Sequence, residues 1–204
     1  MTRPMVIGLT GGVGCGKSSA ADVLIADGVP VFDADRAAHD AVASGSDGLQ
    51  AIAEIFGPSF VRDGVLDRRA MAAKVFGDTE AREQLNAIVH PRVFAAMQDW
   101  LKANGHVRPA VVVMIPLLFE KGADKWCDAT VVVATDEAIV LDRLADRGWS
   151  EADARARMQA QWSLPRKIAL ADRVVWNNGT KQELAAAVRE AYRSLMSERK
   201  NSHE

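Results

Sequence analysis

Short apolar runs alternate along this chain with longer stretches in which apolar residues recur every three or four positions. The runs Val6–Thr10, Val29–Asp33, Ala110–Ile115, Ala129–Ala134 and Arg173–Trp176 have strand length and few charges. Separated by helical stretches, they predict a parallel sheet covered by helices. Helix signals fill the intervals. Ser18–Ala26 follows the first run, and Asp67–Gly77 opens on a capping residue type and closes on glycine. Thr79–Val89 and Pro91–Asn104 predict two further helices, the second with proline in its first turn and Gly105 just past its end. Ser150-Glu-Ala-Asp153 and Thr180-Lys-Gln-Glu183 read as capping boxes, and the latter opens a helix with Leu184, Val188, Ala191 and Leu195 on one face. The polar tail Ser197–Glu204 is expected to fray. Strand character is scarce between Asp33 and Ala110, so that interval is expected to be a helical insertion forming a substrate site over the sheet.

Where the first run meets the first helix stands Gly11-Gly-Val-Gly-Cys-Gly-Lys-Ser18, which fits the phosphate-binding loop G-x-x-x-x-G-K-[ST]. Strand, loop and helix occur in the order this motif requires. Glycines let consecutive amides turn inward toward phosphate oxygens, so Gly12, Val13, Gly14, Cys15 and Gly16 are candidate nucleotide contacts. Lys17 brings a positive charge to the β and γ phosphates, the Ser18 hydroxyl is a candidate ligand of Mg²⁺, and Ser19 adds a second hydroxyl. The helix N-terminus adds its partial positive charge at the same place.

Composition narrows the picture further. The chain has 204 residues, 49% of them hydrophobic, and a net charge of −2, which gives no broad basic face for nucleic acid. Its longest apolar run, Ala110–Phe119, is too short to span a bilayer and contains Pro116. The first apolar run leads straight into the glycine loop without a signal-peptide pattern. The two cysteines, Cys15 and Cys127, form no metal-ligand cluster, and a disulfide at Cys15 would obstruct the loop. A reducing cytoplasm is the expected location.

Candidate chemistry gathers at the ends of the predicted strands, where open α/β sheets bind ligands. Asp33 and Asp35 close the second strand. Asp33 is either a base for an attacking hydroxyl, an outer ligand of Mg²⁺ through water, or the cap of the next helix. Asp35 has the same choice between substrate and cap. Pro116 stops the third strand, and Leu117, Leu118 and Phe119 offer an apolar wall beside Glu120, a carboxylate for substrate or the start of a turn. Asn177 and Gly179 end the last strand, where they read an adenine edge or make a tight turn. His90 sits at a helix boundary as a substrate contact or a structural residue. Arg143 and Arg147 share a helix face, and Arg155 and Arg157 follow on the next helix. They close over ATP or lie on a solvated face.

Taken together, Leu9–Ser18, Asp33-Ala-Asp35, His90-Pro91, Pro116-Leu-Leu-Phe-Glu120, Arg143-x-x-x-Arg147 and Ala171-Asp172 leading to Asn177-Asn-Gly179 resemble the dephospho-CoA kinase family, in its order and over most of the chain. The loop alone fits many nucleotide-binding proteins; the set with Asp-Ala-Asp and Pro-Leu-Leu-Phe-Glu is far more specific. The resemblance implies a three-layer α/β/α P-loop kinase with a core at about 1–35, 107–136 and 171–204, a helical CoA-binding insertion at about 36–106 and a lid at about 137–170. It implies transfer of the ATP γ-phosphate to the ribose 3′-hydroxyl of dephospho-CoA with Mg²⁺, the last step of coenzyme A synthesis. Asp33 is then the base, Lys17 and Ser18 serve the phosphates and Mg²⁺, and Arg143 is the lid arginine. Ser19 stands where threonine is usual, Cys15 where serine is common, and Trp149, Trp162 and Trp176 are bulkier than the family pattern. Rival readings are a nucleoside monophosphate kinase, a GTP-dependent switch and a non-catalytic nucleotide-binding module. The long insertion after Asp35 disfavours the first. The switch requires Asp-x-x-Gly and Asn-Lys-x-Asp, neither of which occurs. Lys17, Ser18 and Asp33 together argue against the third.

Overall fold

A computed structural model of the chain describes residues 3–106 and 109–201. The expected core boundary at 107 and the tail residues 202–204 lie outside them. The chain divides into two compact units, Met1–Phe32 with Asn104–Glu204, and Asp33–Ala103.

The first unit begins with β1 (Met5–Gly11), then α1 (Lys17–Ala26), and β2 (Val31–Asp33) ends where the second unit begins. The second unit carries α2 (Ala34–Asp40), α3 (Asp47–Phe56), the hairpin of β3 (Val61–Arg62) and β4 (Val65–Leu66), α4 (Arg68–Phe76) and α5 (Thr79–Asn104). The chain then returns to the first unit with β5 (Ala110–Met114), β6 (Ala129–Ala134), α6 (Glu137–Ala145), α7 (Glu151–Gln159), α8 (Leu164–Leu170), β7 (Arg173–Trp176) and α9 (Lys181–Asn201).

The five-stranded sheet has the order β2-β5-β1-β6-β7. β1 runs parallel to both neighbours, with Leu9 opposite Met114 on one side and Val131 on the other, and β6 runs parallel to β7. Every residue of β1, β5 and β6 is buried, as a sheet covered on both faces demands. Successive side chains go to opposite faces. Ile7, Leu9, Val131 and Val133 join Leu24 of α1 and Leu184, Val188 and Leu195 of α9 in one cluster. Val132 points the other way, to Leu118 and Phe119 with Leu164 and Ile168 of α8 against them. The result is a three-layer α/β/α unit.

The caps show why several helices begin where they do. Ser150 Oγ accepts the Asp153 amide, and Thr180 Oγ1 accepts the Glu183 amide while Glu183 Oε2 accepts the Thr180 amide. Those bonds from Thr180 hold the Glu183 carboxyl below the usual range. The tail expected to fray from Ser197 stays helical to Asn201. Arg173 bonds Ser194 and Glu198, and Arg199 reaches the Pro109 and Arg3 carbonyls, tying this last turn to the first unit. The second strand is shorter than expected because the Val29 amide bonds Leu24 O and closes the turn after α1, and Pro30 has no amide to give.

The second unit has its own core of Val42, Leu49, Ile52, Leu66, Met71 and Ile88. Two expectations change there. Thr79–Asn104 is one helix with Pro91 inside it. Proline removes only the bond to Ala87 O, and the Arg92 guanidinium donates to the adjacent Ile88 carbonyl at 2.6 Å. The short hairpin was also unexpected, although its Asp63-Gly64 turn, with φ 51° and 72°, is the commonest hairpin signal.

Candidate active site

A loop that offers amides to phosphate turns its carbonyls outward, and those carbonyls need donors. The loop between β1 and α1 finds them at the ends of β6 and β7. Asn177 Nδ2 donates to Cys15 O at 2.9 Å. Thr135 Oγ1 lies 3.1 Å from Cys15 O and 3.3 Å from Asn177 O. Arg143 Nη2 donates to Asn177 O at 3.0 Å, and the Asp136 amide donates to Asn178 Oδ1. Asn177 and Thr135 are buried, so these bonds are not exchanged for water. Gly16 caps α1 in the left-handed region at φ 91°, and a Cβ there would overlap Asn177 Nδ2. Glycine is required at that position on both counts. Lys17 Nζ donates to the carbonyls of Gly11 and Gly12 at 3.2 and 2.9 Å. Ser18 and Ser19 are exposed in the first turn of α1.

Beside the loop is a cavity of about 630 Å³. Gly12, Val13 and Cys15 line it from the loop, Thr135, Asp136, Glu137 and Val140 from the end of β6 and α6, and Trp176 from the end of β7. Its far side is Arg155, Met158 and Gln159 of α7, then Gln161, Trp162 and Ser163, and Leu164, Pro165 and Ile168 of α8. Arg155 is the guanidinium of this lining, held by Glu137 and Glu151. The Arg166 guanidinium stacks 3.3 Å above the Trp162 ring and fixes its plane. An apolar cavity with a few convergent polar groups beside an amide-lined loop suits an anionic ligand with an aromatic body.

The other sequence candidates fall in distinct places. Arg143 is half-buried and engaged with the Asn177 carbonyl. Asn177 directs its amide at the loop, and a Cβ on Gly179 would overlap the Glu183 carboxylate of the α9 cap. Leu118 is fully buried and Phe119 is 6% exposed, both in the sheet's core; Pro116 and Leu117 keep partial exposure. Glu120 Oε1 accepts the Trp162 amide at 3.0 Å and pairs with Lys167 Nζ at 2.9 Å. Asp33, Asp35 and His90 belong to the second unit. Asp33 caps α2, and both amides it accepts, from Asp35 and Arg36, go to Oδ1. Asp35 and His90 are exposed on α2 and α5. Cys15 is buried, and burial, followed by Asp124 and Asp128, pushes the Cys127 thiol up to about 12. Both cysteines are free thiols. No group of three or more His, Cys, Asp or Glu among the described residues is arranged to hold a metal. No described helix is long and apolar enough to cross a membrane.

Thr135 and Lys167 were not among the sequence-derived site residues, whereas Arg155 was, as one of the arginines expected either to close over ATP or to lie on a solvated face. Thr135 had a signal, since it ends a sheet strand. Lys167 had none, because a lysine next to an arginine on a short helix reads as a solvated side chain.

The family model for dephospho-CoA kinase matches residues 5–183. The chain belongs to the dephospho-CoA kinase family. It is 44% identical to the dephospho-CoA kinase of Geobacillus kaustophilus over 184 residues, covering 88% of this chain and 90% of that one. It is 43% identical to that of Staphylococcus aureus over 187 residues, covering 89% and 88%. Among solved structures, a Thermus thermophilus protein superposes with a TM-score of 0.85 at 34% identity over 97% and 98% of the two chains. The Campylobacter jejuni dephospho-CoA kinase shares the fold, with a TM-score of 0.70 at 24% identity over 93% and 96%. As a member of the dephospho-CoA kinase family, this chain is a kinase of coenzyme A biosynthesis with ATP as its phosphoryl donor.

For such a kinase the fit of Gly16 against Asn177 has a direct consequence. Gly16→Ala adds backbone strain of about 1–3 kcal/mol and pushes the Asn177 amide off Cys15 O. ATP affinity measured by calorimetry should fall at least about tenfold. Wild-type affinity in that variant would mean that the loop tolerates a side chain there.

Proposed function

We propose that this chain transfers the γ-phosphoryl group of ATP to the ribose 3′-hydroxyl of dephospho-CoA, with the cavity beside the phosphate loop as the site of ATP. The observation that carries the reading is that Gly12, Val13 and Cys15 line the same cavity as Arg155, Trp162 and Trp176. Amides of Gly12 to Gly16 face the phosphates, Lys17 supplies the charge that follows them through transfer, and Arg155 supplies a guanidinium on the opposite wall. Arg143 acts through Asn177, keeping the loop's carbonyls outward. Trp176, half exposed at the end of β7, gives the base an apolar face, and the Asn177–Gly179 turn borders it. Ser18 and Ser19 are open to solvent, and Ser18 with the nucleotide's own phosphate oxygens would hold Mg²⁺. This mixed donor set suits Mg²⁺ better than an all-protein cage. Bound there, Mg²⁺ would neutralise charge on the transferring phosphate.

Asp33 is proposed as the base. It ends a strand of the sheet at the carboxyl end where such folds hold their ligands, and its capping bonds use Oδ1 alone. Those two bonds orient the carboxylate for the acceptor hydroxyl. On sequence grounds Asp35, His90, Pro116 and Leu117 are proposed as acceptor contacts; Leu118 lies in the core and Glu120 is engaged with Lys167 and the Trp162 amide, so neither is proposed to touch the acceptor. The reaction is localised to the cytoplasm in this reading.

The test is a coupled ADP-release assay with ATP, Mg²⁺ and an acceptor panel, with product mass and phosphate position determined. Dephospho-CoA should exceed adenosine and AMP in kcat/KM, because remote contacts orient the hydroxyl. A higher kcat/KM for a nucleoside monophosphate, or phosphate anywhere but the ribose 3′-oxygen, contradicts the assignment. In the same assay Asp33→Asn should lower kcat by about 10²–10⁴-fold with ATP affinity nearly unchanged. Near-normal turnover at saturation would remove Asp33 as the base.

A further inference from the structure

Lys167 of α8 has no exposed surface, an unusual place for a lysine. Its ammonium meets three acceptors, one for each proton: Glu120 Oε1 at 2.9 Å, Pro116 O at 3.2 Å and Gln161 Oε1 at 3.3 Å. The acceptors come from two segments. Pro116 and Glu120 follow β5, while Gln161 joins α7 to α8 and lines the cavity. Two further bonds widen the node. Glu120 Oε1 also accepts the Trp162 amide, and Pro116 O also accepts Thr10 Oγ1 from the end of β1, where the phosphate loop starts. Glu120 Oε2 is buried with no hydrogen-bond partner.

A buried ion pair is a weak source of stability, because apolar side chains of similar volume often serve as well. What a lysine gives here is direction. It fixes the Gln161 side chain, and through Glu120 the Trp162 backbone, against a segment anchored to the strand that carries the loop. We propose that Lys167 is a positioning residue for ATP, setting the Gln161–Trp162 wall of the cavity relative to the phosphate loop. This rests on the reading of the cavity as the site of ATP.

The test uses the full chain. The double variant Lys167→Met/Glu120→Gln removes the node without stranding a buried charge. A positioning role raises the dissociation constant and KM for ATP about ten- to a hundredfold, with the acceptor KM within about twofold and the melting midpoint near wild type. A lowered midpoint with unchanged ATP constants overturns the proposal, as does an equal rise in both KM values. Should the double variant fail to fold, Lys167→Gln/Glu120→Gln keeps an acceptor for the Trp162 amide, leaves no buried charge unpaired and still loses the three-way ammonium contact. It should raise the ATP KM selectively, and an unchanged ATP KM overturns the proposal. The cavity reading is checked separately by ATP-dependent tryptophan fluorescence of wild type against Trp162→Phe/Trp176→Phe, which removes both tryptophans of the cavity. A wild-type signal lost in that variant supports it, and an identical response of the two proteins overturns the cavity reading and with it the role of Lys167.

Discussion

Asn177 Nδ2 and Thr135 Oγ1 both reach the carbonyl of Cys15, at 2.9 and 3.1 Å, and the phosphate site depends on that convergence. A loop of residues 12–16 that turns its amides inward has no regular structure to satisfy its carbonyls. Water could satisfy them, but would leave the loop free to turn them back. Here the ends of β6 and β7 provide buried donors, and Arg143 then secures the Asn177 carbonyl. Preorganised donors act strongly on developing charge because they need no reorganisation during reaction. The order β1-β6-β7 within the sheet is what brings positions 15, 135 and 177 together.

The same sheet order explains how much was legible beforehand. The strands stood out because burial on both faces selects runs dominated by valine and alanine, as in Ala110–Met114 and Ala129–Ala134. The phosphate loop stood out because its chemistry demands glycines at fixed spacing. Asn177 was visible as a strand-end residue, but its direction was not. Its side chain goes to a backbone carbonyl 162 positions away, and backbone acceptors leave no trace in side-chain patterns. Leu118 misled in the opposite sense. Its apolar run fits a ligand wall and a core equally, and only the packing of α8 on Val132 decides for the core.

Proline and charge account for the remaining differences. Pro91 reads as a break, yet a helix loses only one hydrogen bond there, and Arg92 reaches a neighbouring carbonyl. Lys167 reads as solvated, yet it is enclosed by acceptors from segments up to 51 positions distant. In both cases a long side chain meets a main-chain carbonyl, a pairing that hydrophobic periodicity does not encode.

If the loop is held open from the strand ends, removing the Asn177 amide should loosen it while leaving the sheet intact. The most direct measurement is calorimetric titration of ATP into Asn177→Leu, which keeps the volume and removes the donor. Loss of a buried hydrogen bond of about 1–3 kcal/mol should weaken ATP binding by about tenfold or more, with the circular dichroism spectrum unchanged. Wild-type ATP affinity in a folded Asn177→Leu protein would contradict the account.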